Sequence, residues 1–294
     1  MDGAHRAVDC CIPIEPGTVP IVHAIVLGIV QGLSEFLPIS SSGHLLLVPW
    51  LFGWEDLEDE SIKKAFDVAL HIGTLVAVVG YFRRDLVVYV REGLRAVFRR
   101  SVPPTIEGKL ALFLVVSALP AAAVGALLES WIDTALGGPV LIGISLIVFA
   151  LVLAWADRLQ GGRAMESYTA RDALAIGAAQ ALALNPGTSR SGITITAARV
   201  TGFDRDAAAR ISFLMSIPVI VGAVVFKLGK LVLDGIPEGL LAPMIAGVIA
   251  AAISGWFAVW GTLRLVRTHT FDVFVWYRIV LGVTVLVVAA AGWR

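Results

Sequence analysis

The chain has 294 residues, 57% of them hydrophobic and 16% charged, and its 23 basic residues balance 23 acidic ones. Soluble domains sit near roughly 45–50% apolar and 25% charged. With a mean hydropathy of +0.84, the composition excludes an ordinary soluble domain and predicts an all-α polytopic membrane protein; the zero net charge gives no basis for a nucleic-acid partner.

Residues 1–20 carry Asp2, Asp9 and Glu15 and no apolar core, so they read as an N-terminal extension and not as a cleavable signal peptide. Cys10 and Cys11 are adjacent, a spacing that suits neither a mutual bridge nor a metal site. They read as two small tail residues, with palmitoylation only weakly supported. A spanning helix needs about 20 apolar residues, and about six stretches qualify: 65–82, 109–128, 138–156, 207–228, 241–263 and 272–293.

Two further apolar stretches, 23–47 and 172–200, are interrupted midway by polar residues, with Pro38 in one and Pro186 and Gly187 in the other. Proline breaks the helical ladder and restricts the residue before it. Each stretch therefore reads as a re-entrant helix–loop–helix, tolerated at membrane depth only where protein or a wet cavity surrounds it. The whole of 1–294 is then one integral membrane domain.

Charge sets the expected orientation. Residues 83–109 hold Arg83, Arg84, Arg91, Arg95, Arg99, Arg100 and Lys109 and read as a cytoplasmic loop. With both broken stretches re-entrant, 157–171, 199–210 and 264–272 join that side, which gathers 15 Lys or Arg against 6 outside. The acidic run Glu55, Asp56, Glu58, Asp59 and Glu60 and both termini fall outside. Trp50, Trp54, Trp131 and Trp155 lie near span ends, as an interfacial belt requires.

The chain also repeats. Gly28, Gln31, Leu33, Ser40, Ser42 and Gly43 match Gly177, Gln180, Leu182, Ser189, Ser191 and Gly192 at equal spacing. Three spans separate the copies, so they have opposite orientation, an inverted repeat whose broken elements meet near the midplane. Ser117 to Gly125 and Ser216 to Gly222, with Pro120 and Pro218 inside, read as a weaker echo.

Ionisable groups at membrane depth are costly and are functional candidates by default. Gln31 and Glu35 are four apart and share one helix face. Glu35 is a hard oxygen ligand suited to Mg²⁺ or Ca²⁺, with the Gln31 amide oxygen assisting. Ser40, Ser41 and Ser42 precede Gly43 and His44. His44 follows Ser41 by about one turn, as a base for a serine nucleophile would; it could equally be the nucleophile or a general acid, while the serines could only cap the next helix. In the second segment Arg190 suits bidentate phosphate binding, Gly187 lets backbone approach, and Ser189, Ser191 and Thr194 add donors at a helix start near Ser191, with Ser40 of the first segment as a further phosphate-binding hydroxyl. Arg190 could also neutralise Glu35 in a resting pair that substrate opens. Together these groups describe phosphoryl transfer, a reaction that needs positioning and charge neutralisation above all.

Gln31 to His44 and Pro186 to Thr194 resemble the two signature motifs of bacterial undecaprenyl-diphosphate phosphatases, and the span pattern resembles that family over nearly the whole chain. The resemblance implies hydrolysis of a C55 isoprenoid diphosphate to the monophosphate and phosphate, recycling the lipid carrier of cell-wall synthesis, with a link to bacitracin resistance. It implies a divalent cation, and a site open to the outer face of the bacterial inner membrane. It assigns functional places to Glu35, Ser41, His44, Ser189, Arg190 and Thr194. Gln31 stands at the family's first acidic place, which the pattern permits but which removes one negative ligand. The oligomeric state, a homodimer included, is left open. The competing reading is a lipid-phosphate flippase or secondary transporter, because inverted repeats with broken helices are also transporter architecture.

Overall fold

A computed structural model describes residues 19–54, 59–98, 105–234 and 239–293. Cys10, Cys11, Asp2, Asp9, Glu15, Glu55, Asp56, Glu58, Arg99 and Arg100 lie outside them, as do the side chains of Glu60 and Trp131. Among the described residues the architecture is all-helical. In chain order it comprises α1 (Ile21–Phe36), α2 (Ser41–Phe52), α3 (Glu60–Tyr81), α4 (Arg83–Phe98), α5 (Ile106–Val116), α6 (Leu119–Ala135) and α7 (Pro139–Asp157). The remainder are α8 (Ala170–Gln180), α9 (Arg190–Val200), α10 (Arg205–Asp234), α11 (Leu241–Leu265) and α12 (Asp272–Ala290).

Five segments are long and apolar enough to cross a membrane: Ile106–Leu128, Pro139–Asp157, Arg205–Phe226, Leu241–Leu265 and Asp272–Ala290. The first joins α5 to most of α6 across a slight break, where Pro120 supplies no N–H for the Val116 carbonyl. The sixth expected span differs. α3 reaches the length and apolarity of a span only together with α4, and the two are bent by 85° at Phe82. Residues 83–98, read from sequence as a cytoplasmic loop, are instead this second helix. Its Arg83, Arg84, Arg91 and Arg95 are interleaved with exposed Val87, Val90 and Leu94, so it has apolar surface to place but too much charge to thread straight through hydrocarbon.

The two broken stretches are α1–α2 and α8–α9, with breaks at 37–40 and 185–189. α1 packs along α11, and α8 packs against α5 and α6. Each broken element thus lies on the second span of the other half, while α3 meets α10 and α7 meets α12, the exchange an inverted repeat demands. Two repeat-matched glycines make these approaches: a side-chain carbon at Gly28 would strike the Gly247 carbonyl, and one at Gly177 the Ser117 carbonyl. The weaker echo does not hold as part of this repeat. Ser117 sits in the second span of the first half and Ser216 in the first span of the second, so the symmetry does not equate them.

At one end of the bundle, buried Asp157 accepts from Arg205 at 2.6 Å and from the Phe271 backbone N–H at 3.0 Å, with Arg199 at 3.6 Å. Arg163 pairs with Asp172 at 2.7 Å and donates to the Thr201 carbonyl at 2.9 Å. These contacts gather 157–171, 199–210 and 264–272 at one end, as the charge bias requires of segments on one side of the membrane.

Candidate active site

The two breaks abut, and the reason is visible in their first helical residues. Ser40 and Ser189 are N-caps of α2 and α9, and each hydroxyl accepts from the N–H of the glycine three residues on, Gly43 at 3.3 Å and Gly192 at 3.1 Å. They are also the two non-glycine residues with positive φ among those described, 80° and 75°. Such strain costs about 1–3 kcal/mol and persists only where the surroundings impose it. Here the caps impose it, twice, at positions the repeat equates. Ser40 Oγ also accepts from the Gly187 N–H of the other break at 3.1 Å, and Ser191 Oγ donates to the Leu37 carbonyl at 2.9 Å. Gly187 has φ +93°, and a Cβ there would lie 2.7 Å from the Ile142 carbonyl, so glycine is required on both counts.

Arg278, from the middle of α12, seals the junction. Fully buried, it donates to the carbonyls of Pro38 (3.2 Å), Gly187 (2.8 Å), Thr188 (2.9 Å) and Leu146 (3.2 Å). The first three are backbone oxygens that a helix break strands at membrane depth; the fourth belongs to α7 and ties the junction to it.

Glu35, at the end of α1, is the centre of the charged cluster. Its Oε1 accepts from Arg190 at 3.1 Å; its Oε2 accepts from Ser41 Oγ at 2.6 Å and from the Gln31 amide at 3.1 Å. Arg190 also donates to the carbonyls of Glu35 (3.3 Å) and Ser212 (2.8 Å). Glu35 is 6% exposed and Arg190 13%, so the resting pair weighed from sequence is formed. Thr194 Oγ1 is engaged with the Arg190 and Ser191 carbonyls and with Ser212 Oγ at 2.7 Å. It braces α9 against α10.

The Ser41–His44 pairing expected from their spacing is absent. Ser41 turns to Glu35, whereas His44 Nδ1 lies 2.6 Å from the Ser40 carbonyl and Nε2 2.7 Å from the Tyr277 hydroxyl. A carbonyl only accepts, so Nδ1 carries a hydrogen and Nε2 faces Tyr277. The helix expected near Ser191 starts one residue earlier, at Arg190. Ser189 and Ser191 are turned to the junction itself, through the Gly192 cap, each other at 3.2 Å and Leu37.

Sequence reasoning missed four participants: His71, Ser212, Tyr277 and Arg278. All four sit inside ordinary spans, where periodicity gives no break to notice. Arg278 and His71 carried a signal, as ionisable residues within apolar stretches. His71 Nε2 approaches Glu35 Oε2 to 4.0 Å and is one-third exposed. It continues the face of α3 that bears Lys63 and Asp67, which line a shallow groove with Leu27, Leu45, Leu46, Pro49 and Phe66.

The donors present fit a divalent cation only in part. No cluster of three His, Cys, Asp or Glu side chains exists among the described residues, so the protein by itself offers no full acidic cage. Yet the Gln31 amide oxygen is buried without a partner beside the Glu35 carboxylate. That pair fits a hard cation whose remaining ligands are substrate phosphate oxygens and water.

A family model described as Bacitracin resistance protein BacA matches residues 24–284. The chain is 48% identical over 271 residues to a protein of Geobacter sulfurreducens named undecaprenyl-diphosphatase, covering 90% of this chain and 97% of that one. It is 48% identical over 270 residues to one of the same name from Desulforudis audaxviator, covering 91% and 97%, and 46% over 274 residues to one from Pelobacter propionicus, covering 92% and 98%.

Proposed function

The chain belongs to the bacitracin resistance protein family BacA, and from that premise we propose that it hydrolyses undecaprenyl diphosphate to undecaprenyl phosphate and inorganic phosphate in the bacterial plasma membrane. The observation that carries this reading is the Ser41–Glu35–Arg190 contact, which joins a hydroxyl, a carboxylate and a guanidinium at the meeting of two helix breaks.

Arg190 exchanges Glu35 for the terminal phosphate, whose oxygens its planar fork matches. Released on that side, Glu35 keeps Ser41 through its other oxygen. Ser41 Oγ attacks the terminal phosphorus, and its proton passes to Glu35 and on to the departing undecaprenyl phosphate as the bridging P–O bond breaks, leaving Glu35 ionised. Water then attacks the phosphoserine, giving its proton to Glu35, and phosphate departs as Ser41 Oγ recovers a proton. His44, held by Ser40 and Tyr277, fixes the start of α2 and so the aim of Ser41. Glu35 and the Gln31 oxygen would hold Mg²⁺, with Ca²⁺ as the alternative; when bound it offsets charge on the phosphates. The apolar walls and Lys63 of the groove between α1, α2 and α3 support entry of an isoprenoid diphosphate there. The excess of positive charge at the opposite side supports a site open to the outer face.

The test is phosphate release from undecaprenyl diphosphate by the purified chain in detergent, with Mg²⁺ and then with EDTA, alongside Arg190→Ala and Glu35→Ala. Cation-dependent release lost in both variants is expected. No release from folded, lipid-binding protein would overturn the reading in favour of a flippase.

A further inference from the structure

Glu35 is approached from a third side, by α3. The His71 Nδ1 lies 2.6 Å from the Asp67 carbonyl. Because a carbonyl only accepts, Nδ1 carries a hydrogen, and in the neutral ring Nε2 is the nitrogen with the lone pair. That nitrogen faces Glu35 Oε2 at 4.0 Å, beyond hydrogen-bond range. The same Oε2 is 3.1 Å from the amide of Gln31, whose oxygen is buried without a partner. A carboxylate oxygen from α1 and an imidazole nitrogen from α3 therefore face each other, with the Gln31 amide against the same carboxylate through its NH₂.

We propose that His71 is a protein ligand of the divalent cation, completing a Glu35–Gln31–His71 site. This deepens the reading above, naming a ligand of the same site. Two metal–ligand bonds of about 2.1 Å span at most about 4.2 Å, so one ion reaches His71 Nε2 and Glu35 Oε2, 4.0 Å apart, with the two ligands on nearly opposite sides of it and with the Gln31 amide turned to present its oxygen. The carbonyl-held Nδ1–H is the usual support of a ligating histidine, fixing its tautomer and ring plane. Gln31 leaves this site with a single anionic ligand, and the neutral imidazole restores a donor without a charge. A bound dication keeps a net positive charge for phosphate. The consequence is selectivity: imidazole favours Zn²⁺, Fe²⁺ and Ni²⁺, and beside two oxygen donors it admits Mn²⁺, whereas Ca²⁺ prefers oxygen alone.

The experiment is Mn²⁺ binding to the purified full chain without substrate, by titration and by pulsed electron paramagnetic resonance, for the unaltered protein, His71→Ala and His71→Gln. The expected result is a ¹⁴N coupling to bound Mn²⁺ that disappears in both variants. Mn²⁺ affinity should fall about tenfold or more in His71→Ala, and Ca²⁺ affinity should change far less. His71→Gln, which keeps an oxygen donor, should bind Ca²⁺ at least as well as the unaltered chain, and serves if His71→Ala does not fold. Absence of ¹⁴N coupling in the unaltered protein, or its persistence in either variant, overturns the proposal. Coupling that behaves as expected in a protein releasing no phosphate would sink the phosphatase reading and leave this site standing. Cation-dependent release with Mn²⁺ affinity indifferent to His71 would do the reverse.

Discussion

Ser41 and His44 were paired by sequence spacing, and the structure separates them: Ser41 donates to Glu35 and His44 is taken by Ser40 and Tyr277. Spacing along a helix says which residues share a face, but not which partner from another helix claims each. If Ser41 and Glu35 act as one unit, Ser41→Ala and Glu35→Ala should each lower kcat by about 10²–10⁴, and the double variant should be no slower than the slower single one. Phosphate-release kinetics on the three variants check this. Near-normal turnover in Ser41→Ala, with His44→Ala inactive, would make His44 or water the attacker.

The breaks are the elements that matter most, and each is held by the same device. A serine at positive φ caps the second short helix, and its hydroxyl is worth about 1 kcal/mol there. Replacement by glycine loses the cap but removes the backbone strain; replacement by alanine loses the cap and keeps it. Ser189→Ala should therefore lower the thermal midpoint in detergent more than Ser189→Gly, and Ser40→Ala more than Ser40→Gly. The opposite ranking in both pairs would mean that the strain is not carried at these residues. The existence of both broken elements was legible, because Pro38, Pro186 and Gly187 interrupt apolar runs. The bend between α3 and α4 was not: no proline marks Phe82, Gly80 lies within an apolar run that reads as one span, and the arginines of α4 read equally well as a loop.

At the scale of the whole molecule, α12 binds the two halves through one side chain. Arg278→Met should strand the three carbonyls of the breaks that it now satisfies, those of Pro38, Gly187 and Thr188, each worth about 1–3 kcal/mol when left unpaired. A large fall in thermal midpoint together with loss of phosphate release is expected. A stable, active Arg278→Met protein would show that the junction closes without it. Orientation is a second property of the whole. With Cys10 and Cys11 changed to serine, a cysteine at exposed Gly137 should react with a membrane-impermeant thiol reagent in intact cells, and one at exposed Gly162 only after permeabilisation. The reverse pattern would invert the assigned sides.

The sequence by itself determined the membrane class, the broken elements, the inverted repeat and the polar residues they carry. Hydrocarbon tolerates so few interruptions that each one is conspicuous in the chain. The tertiary structure alone decided the partners. It set Arg190 on Glu35, moved Ser41 from His44 to Glu35, and brought in His71, Tyr277 and Arg278 from continuous helices. Those contacts join residues up to 240 positions apart, through helix packing that no local pattern encodes.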